Sequence, residues 1–197
     1  MFDYLEVLLD YFKRYKFLYN YGLIPSAVCA FICAIISTII VKKIAVFFNI
    51  VDIPNARKIH TKPIPLLGGI AIFSGFIISL LFYNYKYGAL IIFDFKFIII
   101  LATAVFMLII GIIDDIKHLK PLTKLICQII AAIIVVFIAG VKIDFFRYNI
   151  INLIITICWI VIITNSFNLL DNMDGLSAGI AAISLFLFFI IAITQNE

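Results

Sequence analysis

Six stretches of this chain stay apolar for nearly the thickness of a membrane, and no other feature constrains its fold as strongly. Read between polar interruptions, they fall at about 22–48, 66–83, 97–113, 122–140, 148–164 and 175–193. A hydrocarbon core is roughly 30 Å thick and holds no water, so every backbone N–H and C=O within it must be satisfied inside its own segment. The expected fold is therefore all-α, a multi-pass transmembrane helix bundle of about six spans forming a single membrane domain over 1–197. Composition agrees: the mean hydropathy is +1.23, and 13% charged residues is too few for a soluble globular chain.

Residues 1–21 differ from the rest. Asp3, Glu6, Asp10, Lys13, Arg14 and Lys16 interrupt their apolar residues, so this piece is expected to be an interfacial amphipathic segment. It lacks the pattern of a cleaved signal peptide, which leaves the first span as its own targeting signal. The net charge of +4 is spread over short loops, which argues against nucleic acid as a partner and for lipid headgroups. Cys29, Cys33, Cys127 and Cys158 all sit inside apolar runs. Free thiols behave there as small hydrophobes, and neither a disulfide nor a metal role is expected.

The basic residues set the orientation. The first connection holds Lys42, Lys43, Arg57, Lys58 and Lys62, and the third holds Lys117, Lys120 and Lys124. The second and fourth hold only Lys86, Lys96, Lys142 and Arg147. Lysine and arginine accumulate on the cytoplasmic side, so the first, third and fifth connections are expected there. The basic residues of the N-terminal segment, which this places outside, run mildly against that assignment. All three dense polar clusters, "DIPNARKIHTKPIPLLGG", "GIIDDIKHLKPLTKLICQ" and "NSFNLLDNMDG", then share one side of the membrane.

Each cluster carries a distinct chemistry. Asp114 and Asp115 end the third span. Adjacent carboxylates repel one another unless a cation neutralises them, and a hard divalent ion such as Mg²⁺ or Mn²⁺ takes one or two carboxylates together with substrate phosphates. An Asp-Asp pair at a helix end is also what an ordinary solvated interface contains. Asn165, Asn168, Asp171 and Asp174 recur every third residue, so on a continuing helix they trace one polar edge that rotates by about 60° per step. A solvated loop accounts for their polarity but not for their spacing. Gly175 and Gly179 follow in a GxxxG pattern that permits close helix packing. In the first connection Arg57, Lys58, His60 and Lys62 precede Pro63, Pro65, Gly68 and Gly69. That places cations beside a stiffened backbone, as a phosphate or diphosphate site requires. Lys124 and Gln128 share a face at i and i+4 and are placed to meet the same phosphate.

Taken in order, these three clusters resemble the polyprenyl-phosphate N-acetylhexosamine-1-phosphate transferases of glycosyltransferase family 4. Pro54, Asn55, Arg57, Lys58, His60, Pro63, Pro65, Gly68 and Gly69 carry the likeness to the bacterial branch that transfers N-acetylglucosamine-1-phosphate to undecaprenyl phosphate, rather than the branch loading muramyl-pentapeptide. The resemblance implies transfer of a sugar-1-phosphate from a UDP-N-acetylhexosamine to a polyprenyl phosphate lipid with Mg²⁺, releasing UMP, at the cytoplasmic face of a bacterial inner membrane. It implies catalytic roles at the lipid phosphate for Asp114 and Asp115, and a place at the metal and diphosphate for Asn168. It further implies phosphate contacts for Lys58, His60 and Lys124, and the nucleotide end for Asp171 and Asp174. It covers the first half of the family pattern, so a separate C-terminal half or a homodimer is an expected partner. Two rival readings are an ion transporter, which would set polar groups at mid-span, and a non-catalytic binding or assembly protein built on the same half.

Overall fold

A computed structural model describes residues 22–53, 63–87, 94–171 and 175–195. The N-terminal segment 1–21 and the expected site residues Lys58, His60 and Asp174 lie outside the described residues. The helices are α1 (Leu23–Phe47), α2 (Gly68–Tyr87), α3 (Phe95–Lys117), α4 (Pro121–Phe137), α5 (Asn149–Leu170) and α6 (Leu176–Gln195). Two short strands, β1 (Val51–Asp52) and β2 (Ile64–Pro65), lie between α1 and α2. Among the described residues α1, α2, α3 and α5 are long and apolar enough to cross a membrane, while α4 and the apolar part of α6, Leu176–Ile191, are shorter. The fold is all-α, and the chain is a membrane protein.

The distribution of side chains is inverted relative to a soluble protein. The buried apolar residues are mostly small, among them Ala45, Ala71, Ala131, Ala132 and Ala139, whereas Ile, Leu and Phe dominate the exposed surface. Lipid is as apolar as leucine, so large side chains gain nothing by turning inward, and small ones let backbones approach. The chain divides into two compact units between Pro121 and Leu122.

In the first unit α1 and α2 pack along a seam of small residues. A Cβ on Gly75 would stand 2.9 Å from both the Ala30 carbonyl oxygen and the Ala34 Cβ, so only glycine permits this approach. The Ser79 hydroxyl donates to the Ser26 carbonyl across the same seam at 2.6 Å. At the other end of the pair Val41, Ala45, Leu67 and Ala71 form a buried cluster, with Ile50, Ile70 and Ile112 packed on it. Strands β1 and β2 pair antiparallel, Val51 opposite Pro65 and Asp52 opposite Ile64.

The second unit holds α4, α5 and α6. Expected and observed limits differ most here. The span read at 122–140 is helical only to Phe137, because Gly140 adopts φ 70° and turns the chain back. The span read at 148–164 continues to Leu170. Thr164, Ser166 and Asn165 side chains each donate to the carbonyl four residues earlier, so these polar groups are satisfied without breaking the helix. Gly175 and Gly179 have open space beside them, and no described helix packs against that GxxxG pattern.

Candidate functional site

The acidic pair lies in the last turns of α3, and each carboxylate is held by a backbone amide. Asp114 Oδ1 accepts from the Leu119 N–H at 2.9 Å, while the Asp114 carbonyl accepts from the His118 N–H at 2.8 Å. His118 takes the left-handed conformation, φ 49° and ψ 73°, which ends the helix and swings the following residues back over Asp114. Asp115 points elsewhere. Its Oδ2 accepts from the Leu67 N–H at 3.0 Å, 48 residues away in sequence. Adjacent positions on a helix diverge by about 100°, which is why the two side chains find different amides.

Leu67 is a site residue that the sequence did not reveal. It is buried, its φ is 71°, and its carbonyl accepts from the Ile70 N–H at 3.0 Å, so it opens α2. A β-carbon makes this conformation costly, by roughly 1–2 kcal/mol. The strain is compensated by burial in the Ala45–Ala71 cluster and by the charged acceptor on its amide. The carboxylate of Asp115 thus rests at the N-terminal end of α2, where the helix dipole favours negative charge. Gly68 follows at once, and nothing lies within 4 Å of where its Cβ would be.

The polar edge of α5 belongs to the second unit. Asn165 and Asn168 are helical, and Asp171 is the C-cap, its N–H donating to the Phe167 carbonyl at 3.2 Å. The three-residue spacing therefore does run along one helical edge as far as Asp171. Asn168 and Asp171 are exposed, and Lys124, in the first turns of α4, is half-buried. Gln128 corrects the expectation that it accompanies Lys124 toward a phosphate. It is buried, and its Oε1 accepts from Asn165 Nδ2 at 2.6 Å. Asn165 and Gln128 thus join α4 to α5 inside the unit. Asp114 and Asp115 stand in the first unit, and Lys124, Asn168 and Asp171 in the second.

Each unit offers hard oxygen donors of its own: in the first, two carboxylates at the end of α3, and in the second, an amide and a carboxylate at the end of α5. Among the described residues no three His, Cys, Asp or Glu side chains gather as a metal cluster. A pair of carboxylates is what a hard divalent ion accepts when phosphate oxygens and water complete its shell. The four cysteines are free thiols.

Residues 97–197, which carry Asp114, Asp115, Lys124, Asn168, Asp171 and Asp174, match the model of the family described as glycosyl transferase family 4. The chain belongs to that family. Its family 4 relatives include a probable undecaprenyl-phosphate N-acetylglucosaminyl 1-phosphate transferase of Bacillus subtilis, 32% identical over 184 residues, which covers 89% of this chain and 49% of the relative. An undecaprenyl-phosphate alpha-N-acetylglucosaminyl 1-phosphate transferase of Yersinia pestis is 27% identical over 154 residues, 74% of this chain and 40% of its own. A phospho-N-acetylmuramoyl-pentapeptide-transferase of Prochlorococcus marinus is 33% identical over 164 residues, 73% of this chain and 44% of its own. The chain spans about half the length of the curated relatives it matches. No solved structure matches it.

Proposed function

We propose that this chain carries the lipid-phosphate and metal side of a phosphoglycosyl transferase that moves N-acetylhexosamine-1-phosphate from a UDP-sugar to a polyprenyl phosphate at the cytoplasmic membrane face. The names of the Bacillus and Yersinia relatives favour N-acetylglucosamine as the sugar and undecaprenyl phosphate as the lipid. The observation that carries the reading is the pair of half-buried carboxylates at the end of α3, each held by a backbone amide.

The chemistry follows from that anchoring. A lipid phosphate oxygen attacks the β-phosphorus of the UDP-sugar, a new P–O bond forms, and the bond to UMP breaks. A lipid phosphate is largely dianionic near neutral pH, so it needs positioning and charge compensation more than removal of a proton. A carboxylate accepts about four hydrogen bonds, so one amide fixes its direction without exhausting it. Asp114 and Asp115 would act at the lipid phosphate, as base or as organisers of charge near Mg²⁺, and the Asn168 carboxamide would meet the metal and the diphosphate. Mg²⁺, when bound, supplies neutralising charge on the non-bridging oxygens. In this proposal Lys58, His60 and Lys124 would offset phosphate charge, and Asp171 and Asp174 would take the nucleotide end.

The test is a chimera. The segment of the Bacillus relative that this chain matches is replaced by this chain, and membranes containing the product are supplied with UDP-N-acetylglucosamine, undecaprenyl phosphate and Mg²⁺. Lipid-linked sugar and UMP are expected in equal amounts, and chelation with EDTA abolishes both. Asp115→Asn, which keeps an acceptor for the Leu67 amide but removes the charge, is expected to lower turnover about 10²-fold or more. A folded chimera that binds UDP-sugar yet releases no UMP would overturn the catalytic reading in favour of a binding protein.

A further inference from the structure

The connection between α4 and α5 is built in a way that the proposed chemistry does not call on. Helix α4 has 17 residues, about 25 Å of helix, against a hydrocarbon core of roughly 30 Å. Helix α5 has 22 residues, about 33 Å, and crosses with length to spare. After Gly140 the chain is non-helical and runs back along the first two turns of α5. Thr156, which takes the deepest contact, lies about 10 Å inside the start of α5. Non-helical backbone at that depth is stable only where its polar groups are matched by protein.

Asn152 and Thr156 match several of them. The Ile143 N–H donates to Thr156 Oγ1 at 2.9 Å, and that hydroxyl donates to the Asn152 carbonyl at 2.6 Å. The Phe146 N–H donates to Asn152 Oδ1 at 2.8 Å. Asn152 Nδ2 donates to the Phe146 carbonyl at 2.9 Å and to Asp144 Oδ1 at 3.0 Å. Asn152 is 1% exposed. Lys142 completes the arrangement, 3.6 Å from Asp144 Oδ2 and 3.3 Å from Asn149 Oδ1. The same loop turns aromatic rings outward: Phe145 is 81% exposed and Tyr148 66%, and the Phe145 and Phe146 rings meet edge to face at 5.0 Å.

We infer that residues 138–148 are seated in the headgroup–acyl boundary of the bilayer at the N-terminal end of α5, with Phe145, Phe146 and Tyr148 against lipid, and that they complete the span α4 leaves short. Backbone held by Asn152 and Thr156 tolerates an environment without water, the exposed rings favour one, and Lys142 before them and Arg147 between Phe146 and Tyr148 are the cations a headgroup layer attracts. The occupant of this aromatic surface is lipid rather than a protein, because it continues the apolar belt of α5 at the depth where that belt ends.

The sequence contains one tryptophan, Trp159, so Phe145→Trp in a Trp159→Phe background makes a single fluorescent probe in the full chain. Reconstituted in phosphatidylcholine–phosphatidylglycerol vesicles, the probe is expected to emit to the blue of tryptophan in water. Lipids brominated on the upper acyl chain should quench it more than lipids brominated near the chain end. Tyr148→Trp in the same background reports independently if the first variant fails to fold. Adding Thr156→Val should shift the Phe145→Trp emission to the red and increase quenching by aqueous iodide, and an unchanged spectrum would overturn the part given to Thr156. Water-like emission quenched by iodide would overturn the inference by placing the loop in solvent. Blue emission insensitive to every brominated lipid would overturn it by showing that protein covers the rings.

Discussion

Single side chains hold the helix seam of the first unit. At Gly75 the gap to Ala30 and Ala34 leaves no room for a methyl group, and Gly75→Ala is expected to cost about 1–3 kcal/mol through forced separation of α1 and α2. Gly111 is the control. It lies within α3 with nothing near its Cβ position, so Gly111→Ala should be neutral or stabilise by about 0.5–1 kcal/mol. Thermal unfolding of the two variants in detergent measures the contrast, and equal midpoints would show that the seam is loose. The identity of such residues was legible in the sequence, but their partners were not. Asp114 and Asp115 could be placed at a helix end from the sequence alone, and α3 does end just after them. That Asp115 reaches the Leu67 amide could not be read, since the contact spans 48 residues and depends on a positive φ at a leucine, where no glycine marks the turn.

At the scale of elements, hydropathy located the helices well and their ends less well. It extended α4 through Ile138, Ala139 and Gly140 because those residues are apolar or small, though Gly140 turns the chain. It stopped α5 at Thr164 because asparagine and serine look like loop, though their side chains bond within the helix or to Gln128. The pairing of Gln128 with Asn165 is the element-level contact most open to test. Asn165→Leu alone leaves a buried glutamine without its donor, at a cost of about 1–3 kcal/mol, whereas the double change Gln128→Leu with Asn165→Leu should restore most of the loss. Unfolding of the single and double variants in detergent closes the cycle. Strictly additive losses would mean that each amide has another partner.

For the molecule as a whole, the lysine and arginine pattern sets an orientation that labelling can check. In a background with the four cysteines replaced, a cysteine at Lys120 is expected to react with an impermeant maleimide only in inverted vesicles, and one at Lys96 only in right-side-out vesicles. Reaction of both from one side would break the alternation of spans on which a single cytoplasmic site depends. Fold class was readable because lipid permits so few solutions. How the polar clusters are held was not, because it rests on contacts distant in sequence. The bond from Asp115 to Leu67 has a thermodynamic corollary. It ties the carboxylate to the first turn of α2, so any cation that draws Asp115 off that amide also loosens the helix start. Linkage is reciprocal, and the same free energy must appear in both directions. A change that steadies the α2 start through this contact would weaken the affinity of such a cation by the factor with which the cation unsettles that start, and the hydrogen-exchange rate of the Leu67 amide would gauge the occupancy proposed for the acidic pair.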